Sequence, residues 1–347
     1  MQWLPKRDVK YDARTVSRSL VLALVLYASA AVGIAYVAGF GQVAARLSHA
    51  RWWYLGPAFA TVVVAFVGYY FAYRGIRRAE DGPRLGHKAM LAVVTAGFGG
   101  FLSQGGGALD EYAMQAGGAS GREARIRALA LAGFEQGALA LIVCPTAAAA
   151  LLLGMSIPRP GFTWPWALIP LPGFVLAGCL AVRYRDRLRG RKGWRERLGR
   201  GLDAIHLVVF QILLRPHRRG PAIAGMLLYW GGDMVALWAT TAAFGYRMSA
   251  PAVIVGLGSG MFITRRTAPL GGAGIITLAL VPTLWYGSGV PLAAAALGVL
   301  FYRLLTMWVP VLPGLIALPA LRAVGARANV GPGDGVRVKR RAPALQH

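Results

Sequence analysis

An interrupted sequence runs from residue 265 to residue 303 of this 347-residue chain. It reads RRTAPLGGAG (265–274), then the apolar run IITLALVPTLWY (275–286), then GSGVP (287–291), and then a helix-like run that contains Arg303. A transmembrane helix needs about 20 apolar residues, so a run of about a dozen is too short to cross a bilayer. Irregular backbone at membrane depth persists only where protein or a water-filled cavity covers it. The pattern therefore predicts a re-entrant segment at 265–286 beside a cavity, and a cavity favours a transported substrate.

The composition is typical of an integral membrane protein. The chain is 56% hydrophobic and 15% charged, whereas soluble domains carry about 25% charged residues. Apolar runs at 20–40, 52–73 and 221–244 reach the spanning length. The sequence predicts an all-α, polytopic membrane helix bundle with about eight spanning helices and two re-entrant segments.

The formal net charge of +25 is distributed unevenly among the loops. Basic residues are frequent at 1–19 (5), 74–88 (5), 183–200 (9), 215–219 (3) and 322–347 (6), and rare at 41–51 (2), 156–163 (1) and 245–250 (1). Lys and Arg accumulate in cytoplasmic loops, so the pattern predicts cytoplasmic N- and C-termini. We expect the membrane to be the inner membrane of a bacterium. Basic loops also attract anionic headgroups, which explains the charge without a nucleic-acid partner. The first apolar run is too long for a usual signal-peptide core, and we expect it to be a retained helix.

These features give an order of elements along the chain. Spanning helices are predicted at 19–40, 52–73, 123–154, 164–182, 221–244 and 251–264, and at 290–321 as one helix or two, the basic tail favouring two. The predicted domains are a basic cytoplasmic N-terminus at 1–18, a transmembrane domain at 19–323, and a disordered basic tail at 324–347. The segment 202–214 is too short to span and is predicted to lie in the cytoplasmic interface.

A second glycine-rich segment, at 90–121, indicates an internal repeat. It contains Gly105-Gly106-Gly107 and begins and ends beside basic residues, as a re-entrant pair would. The two halves, at about 19–182 and 221–323, each place a glycine-broken segment between pairs of helices. With the predicted crossings both halves have the same orientation, so the expected repeat is parallel. Repeats with substrate sites at broken helices are frequent in transporters.

Charged residues at membrane depth are costly, so each is a functional candidate. Helix N-termini favour anions, and the arginine fork fits phosphate oxygens. The sequence therefore predicts a pocket for a phosphate-bearing lipid headgroup. The candidate substrate-binding residues are Arg303, Glu135, Arg265, Arg266, Asp110, Glu111, Gly271, Gly272, Gly274, Gly105 and Gly106.

Structural roles remain open for several of these residues. The position of Arg303 within an apolar run is equally explained by an ion pair with Glu135 or Asp233 that holds the bundle together. The positions of Arg265 and Arg266 are explained by the end of a helix. Asp110 and Glu111 are adjacent and point about 100° apart on a helix, so their spacing does not make an acid–base pair. The glycines at 256–260 are better explained by close helix packing than by phosphate binding.

The usual catalytic and cofactor motifs are missing from the sequence. We expect no catalytic residue, cofactor or metal site, and a transporter-like protein rather than an enzyme. Two alternatives remain: a membrane-embedded transferase that acts on a lipid-linked sugar or phosphate, and an accessory subunit that docks a cytoplasmic partner through 183–200. The expected partner is a membrane phospholipid or lipid-linked substrate, and the oligomeric state stays open, a homo-oligomer included.

The second half of the sequence resembles a known family. PLGGAG (269–274), GVPLA (289–293) and LFYRLL (300–305) are similar to the P-x-G-G-x-G, G-V/I-P/S and Y-R-L-L motifs of the lysylphosphatidylglycerol synthase transmembrane (flippase-like) family. The resemblance covers about 20–322 and is looser in the first half, where 101–136 is similar to a glycine-rich segment and a helix with a Glu-Arg pair. It implies movement of aminoacylated phospholipids or related lipid-linked molecules between leaflets.

The chain departs from the family pattern at three places. Thr277 stands where the family usually has a glutamate, Glu135-Gln136 replaces the Glu-Arg pair, and Ser103-Gln104 replaces a proline before the first glycine motif. These departures put the identity of the lipid in doubt. Full-length synthases of the family add a cytoplasmic aminoacyl-transferase domain, and we expect none in this chain.

Overall fold

The computed structural model is a bundle of helices, which confirms the predicted all-α polytopic class. It describes residues 13–82, 85–98, 106–155, 159–188, 192–261, 269–317 and 319–320. The helices of its first half are α1 (Ala13–Ala38), α2 (Phe40–Ser48), α3 (Leu55–Arg77), α4 (His87–Phe98), α5 (Gly106–Ala116), α6 (Gly121–Leu152), α7 (Pro160–Leu168) and α8 (Pro170–Leu188). Those of its second half are α9 (Trp194–His206), α10 (Pro216–Ala243), α11 (Ala250–Gly260), α12 (Ile275–Pro282), α13 (Leu292–Arg303) and α14 (Val311–Ile316). Turns of π-helix extend α9 to Leu213, α12 to Gly287 and α13 to Trp308.

Six helical runs of the described chain are long and apolar enough to cross a membrane, against about eight in the prediction. They are Arg14–Ala38, Trp52–Arg77, Gly121–Leu152, Pro160–Leu188, Pro216–Ala243 and Leu292–Ile316. The last run, from α13 through α14, has the length of one crossing as far as Ile316, where the basic tail had favoured two helices at 290–321. The predicted crossing at 251–264 is wrong, because α11 has only 11 residues and a helix of that length extends about 16 Å.

Two pairs of short helices replace full crossings. In the second pair, a Cβ on Gly260 of α11 would contact Leu280, and one on Gly256 would lie 2.8 Å from Leu284. The two arms are therefore antiparallel, and together they form a hairpin, which we call hairpin 2 (α11–α12). In hairpin 1 (α4–α5) the two arms also pack together, and α4 ends at Phe98, whose ring lies 5.3 Å from that of Tyr69 in the middle of α3.

The two hairpins enter the bundle from opposite ends. We call the end where α3 finishes the basic end, since it carries Arg77, Arg78 and Arg219, and Arg219 of α10 donates to the Arg78 carbonyl. Hairpin 1 follows α3 at this end. At the opposite end the backbone N–H of Arg51 donates to the carbonyl of Ala243, where α10 finishes, and hairpin 2 follows α10 there.

The repeat is consequently inverted, and the predicted parallel repeat is wrong. Its units are α3–hairpin 1–α6 and α10–hairpin 2–α13. The leading helices α3 and α10 are antiparallel, because Gly68 meets Gly225 while Gly232 meets Thr61. The later contacts correspond as well, since α6 packs on α11 and α14 packs on α4. Counting α11 as a full crossing reversed the expected direction of everything that follows it.

The segment 202–214 packs into the bundle, where the sequence predicted an interfacial helix. It forms the end of α9 and the π-helical turns after it, and Leu202, Leu207 and Ile212 are buried. The exposed apolar residues of α9 are instead Trp194 and Leu198. The apolar spacing of 202–212 serves packing against α6 and α10. The predicted tail at 324–347 lies outside the described residues.

Candidate functional site

Charged and polar side chains are buried in the interior of both inverted units. Burial of an ionisable side chain at membrane depth costs several kcal/mol, so such residues mark substrate or ion pathways. The charged members are Asp110 on α5, Glu135 on α6, Asp233 on α10 and Arg303 on α13, each at most 2% exposed. Two of these residues belong to each unit, and we refer to the four together as the centre.

Glu135 is held by hydrogen bonds from α10. The Tyr229 hydroxyl donates to its Oε1 at 3.0 Å, and the Trp230 indole N–H donates to its backbone carbonyl at 2.7 Å. The Tyr229 ring also lies 5.2 Å from the Tyr69 ring of α3, edge to face. Glu135 therefore has a fixed position at the junction of α3, α6 and α10.

Asp110 belongs to the same group of residues. Its carboxyl interacts electrostatically with that of Glu135, and it also interacts with the fully buried Tyr73 hydroxyl of α3. We call Asp110, Glu135, Tyr73 and Tyr229 the carboxylate cluster. The neighbouring Glu111 points elsewhere, since its Oε1 accepts from Arg125 at 2.8 Å in an exposed ion pair. The predicted site residue Glu111 thus lies at the surface, apart from Asp110.

Arg303 is the buried cation of the second unit. Its side chain is fully buried at the end of α13, where Nη2 contacts the Met307 sulfur at 3.0 Å. It also interacts electrostatically with Tyr27 of α1. Arg303 and Glu135 lie at corresponding places, each about three to four turns into the helix that follows a hairpin.

The predicted glycines lie at the broken ends of the hairpins. Gly106 is the first residue of α5, and Gly271 and Gly272 belong to the short turn Pro269–Gly272. Gly274 precedes α12 with φ of 75° and approaches α1 so closely that a Cβ would lie 3.0 Å from the Leu26 carbonyl oxygen. That position requires glycine on both grounds. The remaining predicted site residues, Gly105, Arg265 and Arg266, lie outside the described residues.

Several polar residues at this centre were missed by the search for charges. Tyr229 and Trp230 bind Glu135 directly, and Thr277, Tyr302 and Thr306 are fully buried on hairpin 2 and the run that follows it. Thr277 sits where the resemblance expects a glutamate. A tyrosine or tryptophan inside an apolar run needs a partner for its polar atom, so the pairs Tyr69-Tyr70 and Tyr229-Trp230 were the available signal.

A separate cavity of about 410 Å³ opens at the basic end, away from the carboxylate cluster. Its charges are balanced across the walls, and the Arg122 guanidinium meets Asp203 at 3.1 Å. The lining residues are Glu80, Ser120, Arg122, Glu123, Ile126, Arg127, Arg185, Asp203, His206 and Leu207. Among the described residues, no group of three or more His, Cys, Asp or Glu side chains is placed to hold a metal ion.

Comparison with known proteins identifies the family. No curated protein matches the chain. The family model described as "Lysylphosphatidylglycerol synthase TM region" matches residues 19–314, which include both hairpins and the four charged residues of the centre. This match confirms the resemblance of the glycine and Tyr-Arg motifs. The chain therefore belongs to the lysylphosphatidylglycerol synthase transmembrane-region family, a family of membrane proteins tied to lipid handling.

Proposed function

We propose that this protein binds the charged headgroup of an anionic or aminoacylated phospholipid, or of a related lipid-linked molecule, and moves it between the leaflets. The observation that carries the proposal is the burial of opposite charges at corresponding places, Glu135 in one unit and Arg303 in the other. A headgroup that bears both a phosphate and a primary ammonium group fits this pair, because a primary ammonium donates N–H hydrogen bonds to a carboxylate and a quaternary ammonium has none to donate. The acyl tails would stay in the bilayer while the headgroup passes the centre.

Each charge has a part in this proposal. The Arg303 fork suits the oxygens of a phosphodiester. The Asp110 and Glu135 carboxyls suit an ammonium group, and the Tyr229 hydroxyl orients Glu135 for it. The broken starts of α5 and α12 supply backbone N–H groups, which favour an anion at a helix N-terminus.

The proposed orientation places the basic end in the cytoplasm of a bacterial cell, with both termini on that side. The support is the excess of Lys and Arg in the loops at this end. Headgroups of the cytoplasmic leaflet would then reach hairpin 1 first.

The described conformation is closed around the centre, because all four charges are at most 2% exposed. A headgroup enters only if a hairpin moves relative to its neighbours. The inverted units suit such a movement, since opening one hairpin exposes the centre to one side and opening the other exposes it to the opposite side.

A lipid-exchange assay tests the proposal. Purified protein is placed in liposomes with phosphatidylglycerol, aminoacyl-phosphatidylglycerol or phosphatidylcholine carrying a fluorophore on an acyl chain, and a membrane-impermeant quencher reports the inner-leaflet fraction. We expect exchange of at least one of the first two lipids well above protein-free liposomes, and slower exchange of phosphatidylcholine. Equal rates with and without protein for both charged lipids would contradict the proposal.

A further inference from the structure

We propose that α7 (Pro160–Leu168) is a strap that holds hairpin 2 closed, and that it must release the hairpin before the centre opens to the side opposite the basic end. This inference rests on the proposed function and adds to it the residues that position the hairpin, Trp166 and Arg159. The support is the set of contacts that α7 makes with both arms of hairpin 2, and the break in the chain that follows α7.

The strap contacts the first arm of hairpin 2 near its tip. The Trp166 indole N–H donates to the Ser259 hydroxyl of α11 at 2.8 Å. Ser259 lies next to Gly260, where α11 ends. Both side chains are partly buried, and an indole N–H inside an apolar bundle needs such a partner. This hydrogen bond therefore fixes α7 against α11.

A second group of contacts joins the strap to the other arm, at the base of the hairpin. The Arg159 guanidinium lies 3.7 Å from the centre of the Tyr286 ring, as a cation–π contact. The Phe162 ring meets the same ring edge to face at 5.9 Å. A Cβ on Gly287 would lie 3.3 Å from Phe162 Cγ. Tyr286 and Gly287 end the π-helical extension of α12, so α7 contacts both arms.

The strap lies along the hairpin from its base to its tip. Arg159 and Trp166 are seven residues apart, which is about 10 Å along a helix. α11 has 11 residues and extends about 16 Å, so α7 follows more than half of its length. The strap also packs on α6, which belongs to the first unit. α7 therefore ties hairpin 2 to the first unit.

The chain that follows α7 is able to bend. Ile169 separates α7 from α8, and Pro170 and Pro172 come directly after it. A proline lacks the N–H that would bond one turn back, which weakens the helix at this point. Within α8, whose 19 residues are all described, Ala181 alone is buried. α7 can therefore tilt about the break without displacing the core of the bundle.

The second unit has a corresponding arrangement. α14 follows α13 as α7 follows α6, and α14 packs on α4 of hairpin 1. Each hairpin is thus held by the trailing helix of the other unit. In an inverted repeat the two hairpins open to opposite sides, so separate straps allow one hairpin to open while the other stays closed.

The contacts of the strap are weak enough to be broken and re-formed. A single hydrogen bond or cation–π contact shifts an opening equilibrium by about two- to tenfold. After release, the Ser259 hydroxyl can bond to a carbonyl one turn back in its own helix. The strap therefore favours the closed hairpin without locking it.

A reversible disulfide tests whether lipid exchange requires release of the strap. Phe162→Cys and Gly287→Cys are combined in a background lacking Cys144 and Cys179, because the 3.3 Å approach at this contact brings the two Cβ atoms within reach of a disulfide. In the liposome assay we expect exchange of the charged lipid to stop on oxidation and to return with a reductant. Each single-cysteine variant should be unaffected by the oxidant. Unchanged exchange after complete crosslinking overturns the strap and leaves the proposed function intact.

Labelling of a buried cysteine tests the strap without any lipid movement. Thr277 of α12 is fully buried, and its hydroxyl has no hydrogen-bond partner in the described part of the chain, so Thr277→Cys is a mild reporter of hairpin opening. Trp166→Phe should raise the rate at which an impermeant thiol reagent labels it by about two- to tenfold, because one hydrogen bond is lost. Arg159→Ala should act in the same direction. The matched control Trp164→Phe, exposed on the same helix, should leave the rate unchanged.

The two experiments separate failure of the strap from failure of the proposed function. Equal labelling with and without Trp166→Phe overturns the strap, whether or not lipid is exchanged. Equally fast labelling with Trp164→Phe also overturns it, since the effect is then a general loss of packing. If wild-type protein exchanges no lipid, the proposed function fails, and the labelling rates still decide whether α7 holds hairpin 2. The disulfide experiment keeps Trp166 and Arg159, so it decides the proposal even if their variants fail to fold.

Discussion

Arg303 is a fully buried guanidinium on a helix that crosses the hydrophobic part of the bundle. A charge in that position is costly and therefore marks a functional residue, and in the proposed function Arg303 binds a lipid phosphate. Hydrogen bonds between charged groups contribute about 1.5–3 kcal/mol. Arg303→Ala should therefore slow exchange of the charged lipid by about tenfold or more, measured in the liposome assay at equal protein insertion.

A matched variant separates this effect from a general loss of positive charge. Arg195 is an exposed arginine on α9, with its guanidinium 5.5 Å from the Trp194 ring. Arg195→Ala should leave the exchange rate unchanged. If an Arg303→Ala protein inserts normally and exchanges lipid at the wild-type rate, Arg303 does not bind the lipid during exchange.

Arg127 shows that a buried arginine can also have a purely structural role. Its Nη1 donates to the carbonyls of Ile76, Arg77 and Ala79 at 3.0, 3.2 and 2.7 Å, and Nη2 pairs with Glu123 at 2.9 Å. It thereby adds hydrogen bonds to the carbonyls at and just beyond the end of α3, where a helix leaves its last carbonyls without intrahelical donors.

Removal of Arg127 should destabilise the protein, since Ile76, Arg77 and Ala79 lose its hydrogen bonds and Glu123 loses its ion-pair partner. We expect Arg127→Ala to cost about 3 kcal/mol and to lower the thermal unfolding midpoint of the detergent-solubilised protein. Arg125→Ala, on the same helix but in an exposed ion pair, should cost less than about 1 kcal/mol. Similar midpoints for the two variants would contradict the capping role of Arg127.

Sequence reasoning found the charged residues of the centre but could not separate them from a charged residue at the surface. The cost of a charge in a membrane identified Asp110, Glu135, Asp233 and Arg303. The same argument also selected Glu111, because adjacent positions on a helix differ only in the direction in which the side chain points. The tyrosines of the cluster carry no formal charge, so a search for buried charges could not find them.

At the scale of elements, α3 and α10 form the closest helix pair in the bundle. Gly68, Gly225 and Gly232 lie at their contact, and a Cβ on Gly232 would be 2.5 Å from the Thr61 carbonyl oxygen and 2.9 Å from the Ala65 Cβ. Small residues allow two backbones in a membrane to approach this closely, and packing then stabilises the pair.

A single methyl group should disturb this contact. Gly232→Ala forces the helices apart and should destabilise the protein by about 1–3 kcal/mol, measured by denaturant titration in detergent. Gly231→Ala is the control, because a Cβ at that neighbouring glycine meets nothing within 4 Å. If the two alanine variants are equally stable, the contact between α3 and α10 does not require glycine at position 232.

The broken elements were predictable from glycine and proline, but their boundaries were not. The sequence indicated interruptions near 90–121 and 265–286, where the structure has α4 and α5, and then α12. It placed α11 among the crossings because 251–264 is uniformly apolar, and hydrophobicity does not reveal whether such a run turns back. Only its packing against α12 does so, through Gly256 and Gly260. That single misplaced crossing also gave the repeat the wrong orientation.

At the scale of the whole molecule, the inverted units predict on which side of the membrane each connection lies. The turn between α5 and α6 belongs to the basic end, and the turn between α12 and α13 to the opposite end. We expect Gln115→Cys to react with an impermeant maleimide only after the cells are permeabilised, and Pro291→Cys to react in intact cells. Both are exposed positions, and both would be placed in a background lacking Cys144 and Cys179.

Labelling of both cysteines from the same side would contradict the inverted arrangement. Labelling of each from the side opposite to that expected would retain the inversion and reverse the orientation inferred from the basic loops. The experiment therefore separates the arrangement of the units from their orientation in the cell.

The central claim is that the buried charges between the two units hold a charged lipid headgroup, and native mass spectrometry of the purified protein tests it most directly. The account predicts that wild-type protein retains a phospholipid with an anionic or aminoacylated headgroup. It also predicts that Arg303→Ala, purified in parallel, retains that lipid at about one tenth of the occupancy or less. Equal occupancy of the same lipids in both proteins, or no charged lipid on the wild type, would contradict it.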